Sequence, residues 1–292
     1  MRRIHSYLTN SLRMFTMYAL FPITFALALV SVPLISELGG GAFLTGGLIG
    51  ACILIVVRIF EIVVPFRVDW TKSSGDMLTD IIYVVIGVIF LEATLALLSL
   101  VPSYDIWFDN QLMVYQVAIA CICGEFGSYW AHRSLHRVPY LWRFHSVHHS
   151  PSRVYSINAA REHPLGFMLI HGFWALPLLM MGIDEMALAY SYTLFLVIGT
   201  YQHANLDIRI GLLNRVFAMT EVHRWHHNKD SRESDCNHGL ILSIWDQVFG
   251  TYKLPEEKGP VEVGVEYKGF PMSLYKQIML PVAWSRYAFK ND

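Results

Sequence analysis

Four apolar runs fill the first half of the chain, roughly Met14–Ile35, Ala42–Val64, Ile81–Val101 and Leu112–Trp130. Each has about the twenty residues that a helix needs to cross the hydrocarbon core of a bilayer. One soluble core cannot hide that many such runs. Of the 292 residues, 54% are apolar and 15% charged, against roughly a quarter charged in soluble domains. Two shorter runs, Pro164–Met181 and Met186–His203, are split by the polar turn 182–185 and read as a helical hairpin that crosses fully or re-enters. The first run follows Arg2 and Arg3 but is too long for the apolar centre of a signal peptide, so it is expected to be a retained span. The fold expected is an all-α integral membrane protein. It has four transmembrane helices plus a shorter helical hairpin, in a single membrane-embedded domain over residues 1–292.

Charge sets the orientation. With the N-terminus cytoplasmic, the outer turns 36–41, 102–111 and 182–185 contain no Lys or Arg, while Glu37, Asp105, Asp109, Asp184 and Glu185 lie there. All 22 basic residues then fall on the inner side, the bias that topology follows. The C-terminus is also expected inside, with residues 253–292 a cytoplasmic or interfacial tail and Met272–Phe289 amphipathic. The net charge of −1 says nothing about nucleic acid, and no basic run points to it, so no nucleic-acid partner is expected. The four cysteines form no C-x-x-C pair, and Cys52, Cys121 and Cys123 fall in apolar stretches where a small buried hydrophobe is the ordinary role.

The inner side carries the histidines. His132 and His136 are followed by His145, His148 and His149, and the second spacing recurs at His223, His226 and His227. On a helix, positions i, i+3 and i+4 share one side, so each cluster aims two or three imidazoles at one point. Together they predict a cytoplasmic, histidine-rich helical cap that binds metal. A zinc site takes about four ligands, and the three clusters already supply eight histidines without a cysteine. The zinc-protease pattern H-E-x-x-H is absent. Two octahedral irons with open positions use that number of nitrogens.

The segment Glu125–His136, the pattern His145-x-x-His148-His149 and the pattern His223-x-x-His226-His227 together resemble the three histidine boxes of the fatty acid hydroxylase/sterol desaturase superfamily. Gln202-His203-Ala204-Asn205, Asn237-His238-Gly239 and the stretch from Trp245 to Thr251 extend the likeness over residues 80–252, the expected catalytic region. The resemblance implies two non-haem irons that activate O2 as cosubstrate and attack an unactivated C–H bond of a membrane lipid. Carried over position by position, the metal ligands are His132, His136, His145, His148, His149, His203, His223, His226 and His227. Some members have a further histidine at the position of Gly199, so this ligand set is one shorter. His163 and His171 are expected to be structural, His5 part of the tail, and His238 outside the ligand set.

Neutral imidazoles do not offset two divalent ions, and buried charge is costly. An anionic group is therefore expected nearby. Glu125, two turns before His132 at the inner end of the fourth run, is the first choice for a catalytic carboxylate, ahead of Glu162, Glu221 and Asp246. No dinucleotide motif and no cysteine set for an iron–sulfur cluster appears, so electrons are expected from a separate electron-transfer protein. Hydroxylation is the expected outcome and desaturation of the same substrate class the alternative. A metal transporter is the more remote one, since the runs offer only Glu92 and His171 as polar groups at depth.

Overall fold

A computed structural model describes residues 10–39 and 41–287. His5 and the end of the amphipathic segment Met272–Phe289 lie outside the described residues. The longer helices are α1 (Asn10–Ser36), α2 (Gly41–Val63), α3 (Met77–Leu98), α4 (Met113–Arg137), α5 (Pro139–His149), α6 (Pro164–Met181), α7 (Glu185–Gln202) and α8 (Thr220–His226). No strand occurs among the described residues, only the isolated bridges Phe217–Leu242 and Asn228–Val263.

Among the described residues, four helices are long and apolar enough to cross a membrane: α1, α2, α3 and α6. Leu27, Val30 and Leu34 of α1, Ile55, Ile59 and Ile62 of α2, and Val85, Val88 and Ile89 of α3 are exposed. Apolar faces of that extent suit lipid rather than water. This set differs from the expected four in one member. The run Leu112–Trp130 forms most of α4, but α4 buries Gln116, Glu125 and Ser128 and continues into the histidines, so it does not reach the hydropathy of a span. The hairpin appears as α6 and α7. Its second arm is the central helix, packed on α1, α2 and α4 with 13 of its 18 residues buried. Protein surrounds α7, so it can carry Ser191, Thr193 and Thr200, whose hydroxyls bond to carbonyls of their own helix.

Close approach of α4 to α6 depends on two glycines. A Cβ on Gly124 would stand 2.7 Å from the Trp174 ring nitrogen, and one on Gly127 would collide with the Phe173 carbonyl. Beyond the spans, buried carboxylates tie the helix ends to the loop 153–161. Glu61 accepts from the Ser156 and Asn205 amides at 2.7 and 2.9 Å. Asp76 pairs with Arg153 at 2.7 Å, and Asp80 pairs with Arg161 and the Tyr155 hydroxyl. The tail packs on this cap, with Leu280 buried against Tyr83 and Val147.

Candidate metal centre

Local breaks in the chain bring the histidines together. Pro139 forces Val138 into an extended conformation (ψ 114°), ending α4 at Arg137 and starting α5 one residue later. The face with His132 and His136 therefore turns toward the face with His145, His148 and His149. His203 caps the end of α7, and His227 caps α8 after His223 and His226.

The nine expected ligands fall into two adjoining groups. His132, His136, His145, His149 and His226 each offer a ring nitrogen within 4.8 Å of the others, and so do His148, His203, His223 and His227. The neighbours His148 and His149 point one into each group. His149 stacks on His227 across the boundary at 4.4 Å between centroids.

Outer hydrogen bonds fix which nitrogen faces inward. Nδ1 donates to the His238 carbonyl from His132 (2.7 Å), to the Arg161 carbonyl from His148 (3.0 Å) and to the Cys236 carbonyl from His226 (2.7 Å). Nδ1 of His203 donates to the Asn158 side-chain oxygen at 2.9 Å. His145 donates to Glu162 at 2.5 Å. With the proton on Nδ1, Nε2 keeps a lone pair. The Nε2 atoms of His132 and His145 then face each other as two acceptors 3.0 Å apart, and those of His203, His223 and His227 lie 3.1–3.2 Å apart. The facing lone pairs of His132 and His145 repel unless a cation lies between them. The spacing is what two ligands about 2.1 Å from one ion take at roughly a right angle. Nε2 of His136, His149 and His226 is also buried without a hydrogen-bond partner among the described residues. The donor set therefore fits two metal ions. Burial lowers the pKa of these imidazoles, His148 to about 4, and so keeps them neutral and able to ligate.

The carboxylates are arranged differently from expectation. Glu125 is fully buried, but its oxygens accept from the backbone N–H groups of Leu240 (2.5 Å) and Ile241 (2.9 Å). It reaches the histidines only through that loop, whose His238 carbonyl anchors His132. The carboxylate in contact with a group histidine is Glu162. Burial pushes its carboxyl well above the usual range, and a nearby cation would favour its ionised form. Asp246 accepts from the amides of His238 and Gly239, both at 2.8 Å. Glu221 holds Asn214 at 2.7 Å, away from the metal groups.

His163 is structural: it caps α6 by accepting from the Leu165 amide and bonds through Nε2 to the Ile278 carbonyl. His238 lies against the first group, its ring 5.0 Å from that of His136 and wholly buried. Asp235 is 3.3 Å from its Nε2. Asn158, which aims His203, was not foreseen, and Glu162, which aims His145, was ranked behind Glu125; a carboxylate directly before His163-Pro164 was the available signal. Beside the histidines lies a cavity of about 90 Å³ lined also by Phe167, Ile170, His171, Phe195, Gly199 and Leu240. A larger apolar cleft of about 1020 Å³ opens between α1, α4 and α7.

Comparison with known proteins places this architecture. A family description, fatty acid hydroxylase, matches residues 117–251. An ornithine lipid hydroxylase of Rhizobium tropici is 31% identical over 226 residues, covering 73% of this chain and 68% of that protein. The chain belongs to the fatty acid hydroxylase family. Human alkylglycerol monooxygenase is 30% identical over 136 residues, 46% of this chain and 30% of that protein. A fatty acid hydroxylase of a Lecanicillium species is 30% identical over 177 residues, 54% and 46% of the two chains. No solved structure matches the chain.

Proposed function

We propose that this protein is an O2-dependent lipid hydroxylase with a pair of iron ions held by the nine histidines. The observation that carries the reading is the double histidine group, lined with inward lone pairs, next to an apolar cavity at the end of lipid-facing helices. The iron pair, when bound, supplies O2 activation and the oxidising power to remove hydrogen from an unactivated carbon. The overall balance is R–H plus O2, two electrons and two protons, giving R–OH and water.

The chain's own residues do the rest. Five Nδ1 hydrogen bonds hold imidazoles in one tautomer and orientation, as outer partners of metal ligands do. Glu162 offsets part of the cationic charge through His145. Phe167, Ile170, Phe195 and Leu240 keep water from the reacting carbon. Glu125 positions the loop whose carbonyl aims His132. The histidine cap faces the cytoplasm, where a separate electron-transfer protein delivers the two electrons, and the substrate is a membrane lipid of fatty acyl, sterol-like or alkylglycerol type. The charge bias of the turns and the lipid-acting relatives support these points.

Total lipid extracts from cells with active full-length protein and with His226→Ala, compared by mass spectrometry, test the reading. A lipid 16 mass units heavier, present only with the active protein and labelled by ¹⁸O2, is expected. A loss of two units would make it a desaturase, and no oxygen-dependent change would refute the oxygenase.

A further inference from the structure

The cavity beside the histidines ends on His171 of α6, which belongs to neither metal group. Its Nδ1 lies 3.1 Å from the Phe167 carbonyl of its own helix. A carbonyl can only accept, so Nδ1 carries the proton, and the neutral ring offers Nε2 as an acceptor and nothing else. Apart from this bond, no hydrogen bond to the ring is found among the described residues. The ring cannot easily turn to find one. It stacks on Phe167 at 3.7 Å between centroids and 14° between planes, with Phe195 at 5.0 Å on another side. Phe167 is itself backed by α3, where a side chain on Gly87 would press on it at 3.1 Å. Another lining position of the cavity, Gly199, leaves open space, since a Cβ there would meet nothing within 4 Å.

A volume of about 90 Å³ is roughly that of three waters. It holds a few heavy atoms of a substrate, not a whole chain. Apart from the metal-group histidines, Glu162 and Gln202, those atoms meet the apolar side chains of Phe167, Ile170, Phe195 and Leu240 and one further acceptor, the His171 ring, and an acceptor left unmatched away from water costs binding energy.

We propose that His171 accepts a hydrogen bond from an N–H or O–H of the substrate. The site then selects lipids that carry an amide or hydroxyl close to the carbon attacked, over esters of the same length. This rests on the lipid hydroxylase reading for its purpose, but it is tested by binding alone.

The probes are N-lauroylglycine and its ester counterpart, the lauroyl ester of glycolic acid, which differ only in N–H against O. Their affinities are measured on the purified full-length, iron-loaded protein in detergent. The amide is expected to bind about tenfold more tightly, a discrimination in the range of one hydrogen bond. In His171→Phe the ratio falls to near one with iron content unchanged. His171→Gln, whose side-chain oxygen can accept, keeps part of the preference. Equal binding of both probes by the wild-type protein, or a preference that survives in His171→Phe, overturns the proposal. Because turnover is not read, failure of lipid oxygenation would be seen separately.

Discussion

At the scale of single residues, the two buried glutamates separate two kinds of support. Glu162 touches His145 and acts on the metal group, whereas Glu125 satisfies two backbone amides and acts on the loop. Glu162→Gln is expected to weaken metal binding about 10–100-fold, the usual effect of losing an outer partner of a ligand, as read by competition with a chelator. Glu125→Gln sets an amide NH2 against a buried backbone N–H and is expected to cost about 1–3 kcal/mol of stability, as read by thermal unfolding. Equal effects of the two on metal affinity would contradict the distinction. Eight of the nine histidines were legible because helical spacing groups them by face, whereas His203 stood out only through the family resemblance. Glu162 was weaker in the sequence: it follows His145 by 17 positions and meets it only after the chain turns through Ser156–Ala160.

At the scale of elements, the break at Val138–Pro139 and the contact of α4 with α6 set the site. Gly127→Ala forces a methyl into the Phe173 carbonyl, and backbone cannot yield as a flexible side chain would. Little folded protein is expected from that variant by detergent size-exclusion chromatography, whereas Gly47→Ala, with nothing within 4 Å of its Cβ, should accumulate normally. Normal yield of Gly127→Ala would mean that the two helices do not approach this closely. The helices themselves were legible as apolar runs. Which runs face lipid was not, because the hairpin arms α6 and α7 are both 18 residues long, and only packing reveals that α7 is enclosed by protein. The carboxylates Glu61 and Asp80, fully buried at the ends of α2 and α3, likewise gain meaning only from the loop they hold.

At the scale of the whole molecule, lipid-facing helices carry a polar cap whose centre is nine neutral imidazoles. That arrangement has a pH consequence. Burial moves His148 from its ordinary 6.5 down to about 4, and His203, His223, His226 and His227 move the same way. Between those values the unfolded chain binds more protons than the folded one, so stability is full above about 6.5 and is lost as pH falls toward 4. The melting temperature of metal-free protein in detergent should therefore drop across that window, and a flat profile would contradict it. The central claim is that the two histidine groups hold two ions. Elemental analysis of the purified full-length protein tests it most directly: about two irons per chain are expected, falling to about one in His203→Ala, whereas one ion or none in the wild-type protein would contradict the account.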